Sequence, residues 1–270
     1  KKKKKQKKKC TMKALKNTLL ASCIAVACMP VAHAEKFFGD SSISVLHSAD
    51  YETFGDRQIE DTVFTFENAT GHNWGGTFFF IDRNHGRGAS GSGDDNVYGE
   101  FSPTLSLSWA TGQTLSFGPV KDVLLAATYE FGGAPQQNNY LTGAGLAWNV
   151  PGFQYFNTFG FYAANNSDAP GFENPDNDLQ LTITWGAPFE LGANRFLFDG
   201  YIDWSTAEDD HASDFHFNPQ FKLDLGNYAG NPGMLYAGIE YSYWNNKYGV
   251  GDDDLMATES AVSALVKFHF

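Results

Sequence analysis

Apolar residues recur at every second position, in short segments, from Ser41 to Phe270. A period of two belongs to a strand, whose successive side chains point to opposite faces. Two segments are clean. Leu179–Trp185 sets Leu179, Leu181, Ile183 and Trp185 against Gln180, Thr182 and Thr184. Phe215–Leu225 sets Phe215, Phe217, Phe221, Leu223 and Leu225 against His216, Asn218, Gln220, Lys222 and Asp224. A helix would scatter these apolar residues around its circumference. Weaker alternation marks Ser41–Ser48, Val120–Phe131, Tyr140–Val150, Arg195–Ser205 and Leu235–Asn245. Val97–Trp109 ends in Leu105, Leu107 and Trp109 alternating with Ser106 and Ser108. In Phe153–Ala164 the pattern puts Phe153, Tyr155, Phe159 and Phe161 on the outer face, and Gln154, Phe156, Thr158 and Tyr162 on the inner one. Gln58–Asn68 and Trp74–Arg83 leave their faces ambiguous. With the terminal segment this makes about twelve strands, each near the ~9–11 residues that a tilted membrane-spanning strand needs.

The terminal segment decides the fold class. Phe270, Phe268, Val266, Ala264 and Val262 share one face; His269, Lys267, Leu265, Ser263 and Ala261 share the other. Chain ends usually fray, and an unpaired strand edge in lipid is costly, so a last strand this apolar calls for pairing with the first. Its aromatic C-terminal residue, Phe270, resembles the assembly signal of bacterial outer-membrane barrels. The connections sort by parity. Long acidic ones include Asn84–Asn96, the stretch with Asp168, Glu173, Asp176 and Asp178, Thr206–Ser213 with Glu208, Asp209 and Asp210, and Asn246–Thr258 with Asp252, Asp253 and Asp254. Compact or neutral ones include Ala69–Asn73, Pro151-Gly152 and Gly226–Gly233. Long outer loops over short inner turns are the arrangement of an outer-membrane barrel. The expected fold is all-β: a transmembrane antiparallel up-and-down barrel over residues 35–270, embedded in outer-membrane lipid.

Residues 1–34 change the picture of charge. From Met12, the basic Lys13 and Lys16, the apolar run Leu19–Met29 and the small-residue site Ala32-His33-Ala34 form a secretory signal peptide. The lysine run ahead of Met12 reads as an upstream extension. All three cysteines (Cys10, Cys23, Cys28) lie in this segment, so the mature chain holds no disulfide or cysteine metal site. It also holds ten of the 19 Lys and Arg residues and no acid, leaving nine bases against 31 acids, a mature charge of −22. That charge argues against nucleic acid as a partner. Aromatic residues reach 16% of the chain, yet the mean hydropathy is only −0.34, as expected where lipid-facing residues alternate with lumen-facing ones.

No motif for catalysis stands out. Gly86–Gly93 lacks the Gly-Lys-Ser/Thr ending of a phosphate loop. His211, Asp209, Asp210 and Ser213 are neighbours in one loop, which does not make a nucleophile–base–orienter triad. Asp252–Asp254 lacks the spacing of a calcium loop. The expectation is a protein that is not an enzyme, with no cofactor, no metal and no catalytic residue. The inner faces are more informative. They mix acids (Glu130, Asp199, Asp203, Asp224, Glu240) with aromatics (Phe156, Tyr162, Tyr201, Tyr236, Trp244), the lining of a narrow channel that stacks on a flat solute or, alternatively, a lumen simply filled by rings.

Leu115-Ser116-Phe117-Gly118-Pro119, Lys121, and the preceding Glu100 and Pro103 resemble the nucleoside-specific channel-forming (Tsx-type) family, which includes the phage-receptor porins called OmpK. Phe54-Gly55 followed by Asp61-Thr62 is similar to that family's first hairpin. The resemblance implies a monomeric twelve-stranded barrel in the bacterial outer membrane, passing nucleosides along aromatics flanked by ionisable groups and serving as a phage receptor. It also implies a place for Phe54 on the nucleoside path. The candidate path is Phe54, Glu100, Glu130, Phe156, Tyr162, Asp199, Tyr201, Asp203, Tyr236 and Glu240, with Phe270 for membrane assembly. The alternative is a surface protein or phage receptor with a plugged, non-transporting lumen.

Overall fold

The computed structural model describes residues 34–55, 57–87, 95–133, 136–167, 175–251, 255–256 and 258–270. The expected leader up to His33, the glycine-rich loop beyond Arg87, and Asp168, Glu173 and Asp252–Asp254 lie outside the described residues. Twelve antiparallel strands form a closed barrel in sequence order: β1 (Lys36–Thr53), β2 (Arg57–His72), β3 (Gly75–Arg87), β4 (Asn96–Ser106), β5 (Val120–Gly132), β6 (Gln137–Trp148), β7 (Tyr155–Ala164), β8 (Asp178–Leu191), β9 (Asn194–Ser205), β10 (Phe215–Asp224), β11 (Leu235–Asn245) and β12 (Glu259–His269). β12 closes on β1 with Ser42 opposite His269 and Leu46 opposite Leu265. Beyond the last strand the Phe270 N–H still donates to the Ser41 carbonyl (2.9 Å), and its ring stacks on Phe268. Every strand thus has two partners, which removes the open edges that hydrocarbon would penalise. Among the described residues no helix is long and apolar enough to cross a membrane.

Burial follows the alternation. On β12 and β1 the inward Ser42, Ser44, Ser263, Leu265 and Lys267 are buried, while the outward Ile43, Val45, Val262 and Val266 stay half exposed. Large exposed apolar residues recur around the outside, among them Phe64, Phe101, Leu125, Leu181, Phe221 and Ile239. In water such a band would be a liability; in lipid it is the contact surface. At Gly200 the strand needs a residue without a Cβ. Its φ is +150°, and a Cβ would lie 2.3 Å from the Asn218 carbonyl oxygen. The outward Trp185, directly opposite, covers the bare backbone and packs on Phe198 and Phe217.

Two expectations need correction. β4 stops at Ser106, and Leu107–Thr111 form a short helix, α1. The Ser106 hydroxyl caps it by accepting the Trp109 N–H, and Gly112 ends it at φ +68°, so Leu107 and Trp109 are not strand residues. The faces of β7 are also the reverse of those expected. Tyr162 pairs with Leu179 and Phe156 with Trp185, which puts both on the outer face, and Tyr162 is 51% exposed. The inward residues are Tyr155, Asn157, Phe159, Phe161 and Ala163, with the Asn157 amide donating to the Thr184 hydroxyl (3.4 Å).

Candidate functional site: the lumen

Pairing places the inward residues in rows. One hydrogen-bonded row runs through Thr182, Asp203, His216, Trp244 and Glu259. Its rings touch. The His216 and Trp244 rings stack at 4.2 Å, 3° from parallel. Tyr201 meets His216 edge-on at 5.2 Å, and Tyr248 meets Trp244 edge-on at 4.8 Å. Phe54, in the β1–β2 turn, lies nearly parallel to Tyr248 at 6.1 Å. Phe54, Tyr248, Trp244, His216 and Tyr201 thus form one file of planar groups, from the rim remote from Lys36 and Phe270 down into the lumen. Polar partners hold it. Thr182 donates to Asp203 (2.5 Å), His216 contacts the Ser242 hydroxyl (3.1 Å), and the Trp244 indole N–H donates to Asp214 (3.0 Å). Burial, opposed by that indole bond, pushes the Asp214 carboxyl at the rim up to about 7.

A second row carries Glu67, Phe80, Glu100, Glu130 and Asn139. Glu100 and Glu130 are direct cross-strand partners. The Tyr98 hydroxyl donates to Glu100 (2.7 Å), and the Asn139 amide donates to Glu130 (2.8 Å). Glu100 lies within electrostatic range of Asp203, and Tyr201 within range of Glu100. Further down, Lys222 pairs with Asp199 and also donates to Gln220, both at 2.7 Å; Gln220 donates to Glu240 (2.7 Å). Lys267 pairs with Glu67. Buried ions this well paired escape most of the desolvation cost of an isolated charge.

Of the candidate path residues, Glu100, Glu130, Asp199, Tyr201, Asp203, Tyr236 and Glu240 are inward, and Phe54 stands at the rim. Phe156 and Tyr162 are on the lipid face and drop out of the path. Tyr236 sits apart, at the opposite end, edge-on to His269, in a cavity of about 420 Å³ with Arg195, Glu190 and Asp224. The sequence reading left out His216, Tyr248, Phe78, Phe80 and Tyr98, and did not put Trp244 on the path. The alternation of Phe215–Leu225 had already turned His216 inward, but nothing in the pattern marks it as a ring partner. Phe78, Phe80 and Tyr98 form a second inward run, with rings 5.9 and 5.7 Å apart.

The loop cluster around His211 is a brace. Its imidazole bridges Asp210 (2.6 Å) and Asp178 (3.2 Å), while the Ser213 hydroxyl donates to the Ser205 carbonyl (2.6 Å). Among the described residues no group of three or more His, Cys, Asp and Glu side chains could hold a metal ion.

Comparison with known proteins gives a consistent picture. The family model "Nucleoside-specific channel-forming protein, Tsx" matches residues 41–270. Outer membrane protein OmpK of Vibrio parahaemolyticus is 30% identical over 169 residues, 61% of this chain and 55% of that protein. The OmpK of strain RIMD 2210633 (serotype O3:K6) is 30% identical over 176 residues, 61% of this chain and 57% of that protein. The alignments span just over half the length of these relatives. A solved NanC porin shares the fold, with a TM-score of 0.52 at 12% identity, covering 84% of this chain and 98% of that one.

Proposed function

This chain belongs to the Tsx family of nucleoside-specific channel-forming proteins of the bacterial outer membrane, and from that premise we propose that its lumen is a diffusion path for nucleosides. The observation that carries the reading is the file of rings Phe54, Tyr248, Trp244, His216 and Tyr201. A nucleobase has a π-face and stacks on such groups with about 1–3 kcal/mol per base in single-strand binding proteins. Several weak stacking positions in series suit conduction better than one tight site, because a solute must leave as well as enter. The carboxylates Asp203, Glu100 and Glu130 supply acceptors for ribose hydroxyls. The resemblance to the family implies a monomer, and no second copy is needed to close the barrel, because each strand edge is paired within one chain.

Planar-bilayer conductance with and without nucleosides tests this. Adenosine and thymidine should block ion current in a concentration-dependent way, and a conducting channel indifferent to both would overturn the nucleoside path. A second reading, a surface protein whose loops serve phage or another partner while the lumen stays plugged, draws on the apolar side chains packed inside the barrel. Absence of any conductance, even after removal of the interactions described next, would favour it.

A further inference from the structure

The turn that opens the connection from β11 to β12, Asn246–Gly249, does not project away from the barrel. Asn246 and Tyr248 adopt left-handed backbone (φ 49° and 59°), and Gly249 follows at φ 73°. Non-glycine residues are strained in that geometry and keep it only where the surroundings impose it. Here the strained turn directs Lys247 inward, where its side chain is 7% exposed. Its ammonium donates to Glu259 (2.5 Å) and to the Glu52 carbonyl (3.2 Å). It also lies 5.6, 5.1 and 5.6 Å from the ring centres of Tyr51, Trp244 and Tyr248, within cation–π range. Burial lowers the affinity of this ammonium for its proton, but the Glu259 carboxylate outweighs it and holds Lys247 above the ordinary lysine value. The lysine is therefore a permanent cation plugged into the upper rungs of the ring file. Nearby backbone bonds tie the same turn to both neighbouring rims: Gly55 N–H to the Leu255 carbonyl, and Ala212 N–H to the Gly249 carbonyl (both 2.8 Å).

We propose that the β11–β12 turn is a latch that closes the outer mouth of the lumen, with the Lys247 ammonium seated between Glu259 and the rings of Tyr51, Trp244 and Tyr248. It rests on the nucleoside reading only for the identity of the solute that releases it. A base arriving at Phe54 and Tyr248 competes for the faces that Lys247 occupies, and its stacking replaces the cation–π attraction that the rings give up when the turn swings out. Strain held at Asn246 and Tyr248 favours that release. The closed state requires a cation at this position: an apolar side chain would fill the socket but leave Glu259 uncompensated.

The test is single-channel current in potassium chloride with no nucleoside present, on chains shown to be assembled by heat-modifiable gel mobility. Lys247→Met keeps the length and removes the charge; it should raise the open fraction several-fold. Lys247→Arg, which can pair with Glu259 and stack on the same rings, should behave as the unaltered protein. Glu259→Gln removes the counter-charge from the other side and should also raise the open fraction. Assembled Lys247→Met and Glu259→Gln proteins with unaltered current would overturn the latch. So would failure of both to assemble while Lys247→Arg does, since the cluster would then serve folding alone. Because ion current is read without nucleoside, the latch can fail while the nucleoside path stands, and the reverse.

Discussion

Inside the barrel, β5, β6 and β7 turn Ala126, Leu141, Phe161 and Ala163 inward, whereas β9, β10 and β11 turn Asp203, Tyr201, His216 and Trp244 inward. Apart from Thr128 and the Glu130–Asn139 pair, the first wall is a dry, apolar cluster. Its side chains touch one another, need no partners, and fill volume as in a soluble domain. The second wall is a network in which almost every group has a hydrogen-bond, ionic or ring partner. Filling the barrel and offering a path to a solute are thus divided between two arcs of one sheet, on either side of β8. Substitutions on the two walls should therefore fail in different ways.

The largest effect belongs to the dry wall. Phe161→Ala deletes a buried ring and should cost ~3–5 kcal/mol of stability, read as a lower urea midpoint for the barrel in lipid vesicles. Nucleoside block by the protein that does assemble should be unchanged. Equal loss of affinity would dissolve the division between the walls.

Next is Trp244→Ala on the path wall. It removes the ring shared by His216 and Tyr248 and should weaken nucleoside block by about 1–3 kcal/mol, roughly fivefold to a hundredfold in concentration. Its effect on stability should be the smaller of the two. A Trp244→Ala protein as unstable as Phe161→Ala, yet blocked normally, would reverse the roles assigned to the walls.

These walls were not equally legible in the sequence. β8, β10 and β12 read correctly because their inner faces are polar, so polarity and facing coincide. β7 read backwards because its inner face carries Phe159 and Phe161 while Thr158 and Tyr162 face out. Once a narrow lumen is filled by apolar rings, alternation of polarity no longer reports alternation of facing. β3 was ambiguous for the same reason, with Phe78, Phe79, Phe80 and Ile81 in succession. α1 had a readable signal: a serine cap at Ser106 and a left-handed glycine at Gly112, masked by the alternation of Leu105, Leu107 and Trp109. The inward turn at Lys247 had none, because part of its socket, Tyr51 and the Glu52 carbonyl, comes from the far end of the chain.

Charge separates the two walls further. The row with Glu100 and Glu130 lines the same lumen as the path wall, and wherever its carboxyls are ionised a nucleotide brings phosphate charge towards like charge. Two like charges about 4 Å apart cost ~4 kcal/mol at an effective dielectric of 20, more than one stacking contact returns. Thymidine should therefore block at concentrations where thymidine monophosphate does not, and the gap should shrink at high salt as the repulsion is screened. In the double variant Glu100→Gln, Glu130→Gln the gap at low salt should narrow by about tenfold, roughly 1.4 kcal/mol. Equal handling of the two solutes by the unaltered protein at low salt would sink the electrostatic reading.

The smallest effect is expected at the rim. Phe54 touches the file through one offset stack on Tyr248 at 6.1 Å, the long end of the range for aromatic pairs, which contribute about 0.5–1.5 kcal/mol beyond their buried area. Phe54→Ala should therefore weaken nucleoside block by only a few-fold. It should act mainly on the rate of entry, because the ring stands where a base first meets the file and not where it passes Trp244 and His216. Tyr162→Ala is the control: an aromatic of the outer face, whose loss should leave block, entry rate and exit rate alone. If Phe54→Ala and Tyr162→Ala are indistinguishable in all three, Phe54 leaves the path, and the file begins at Tyr248 with Tyr201 as its lower end.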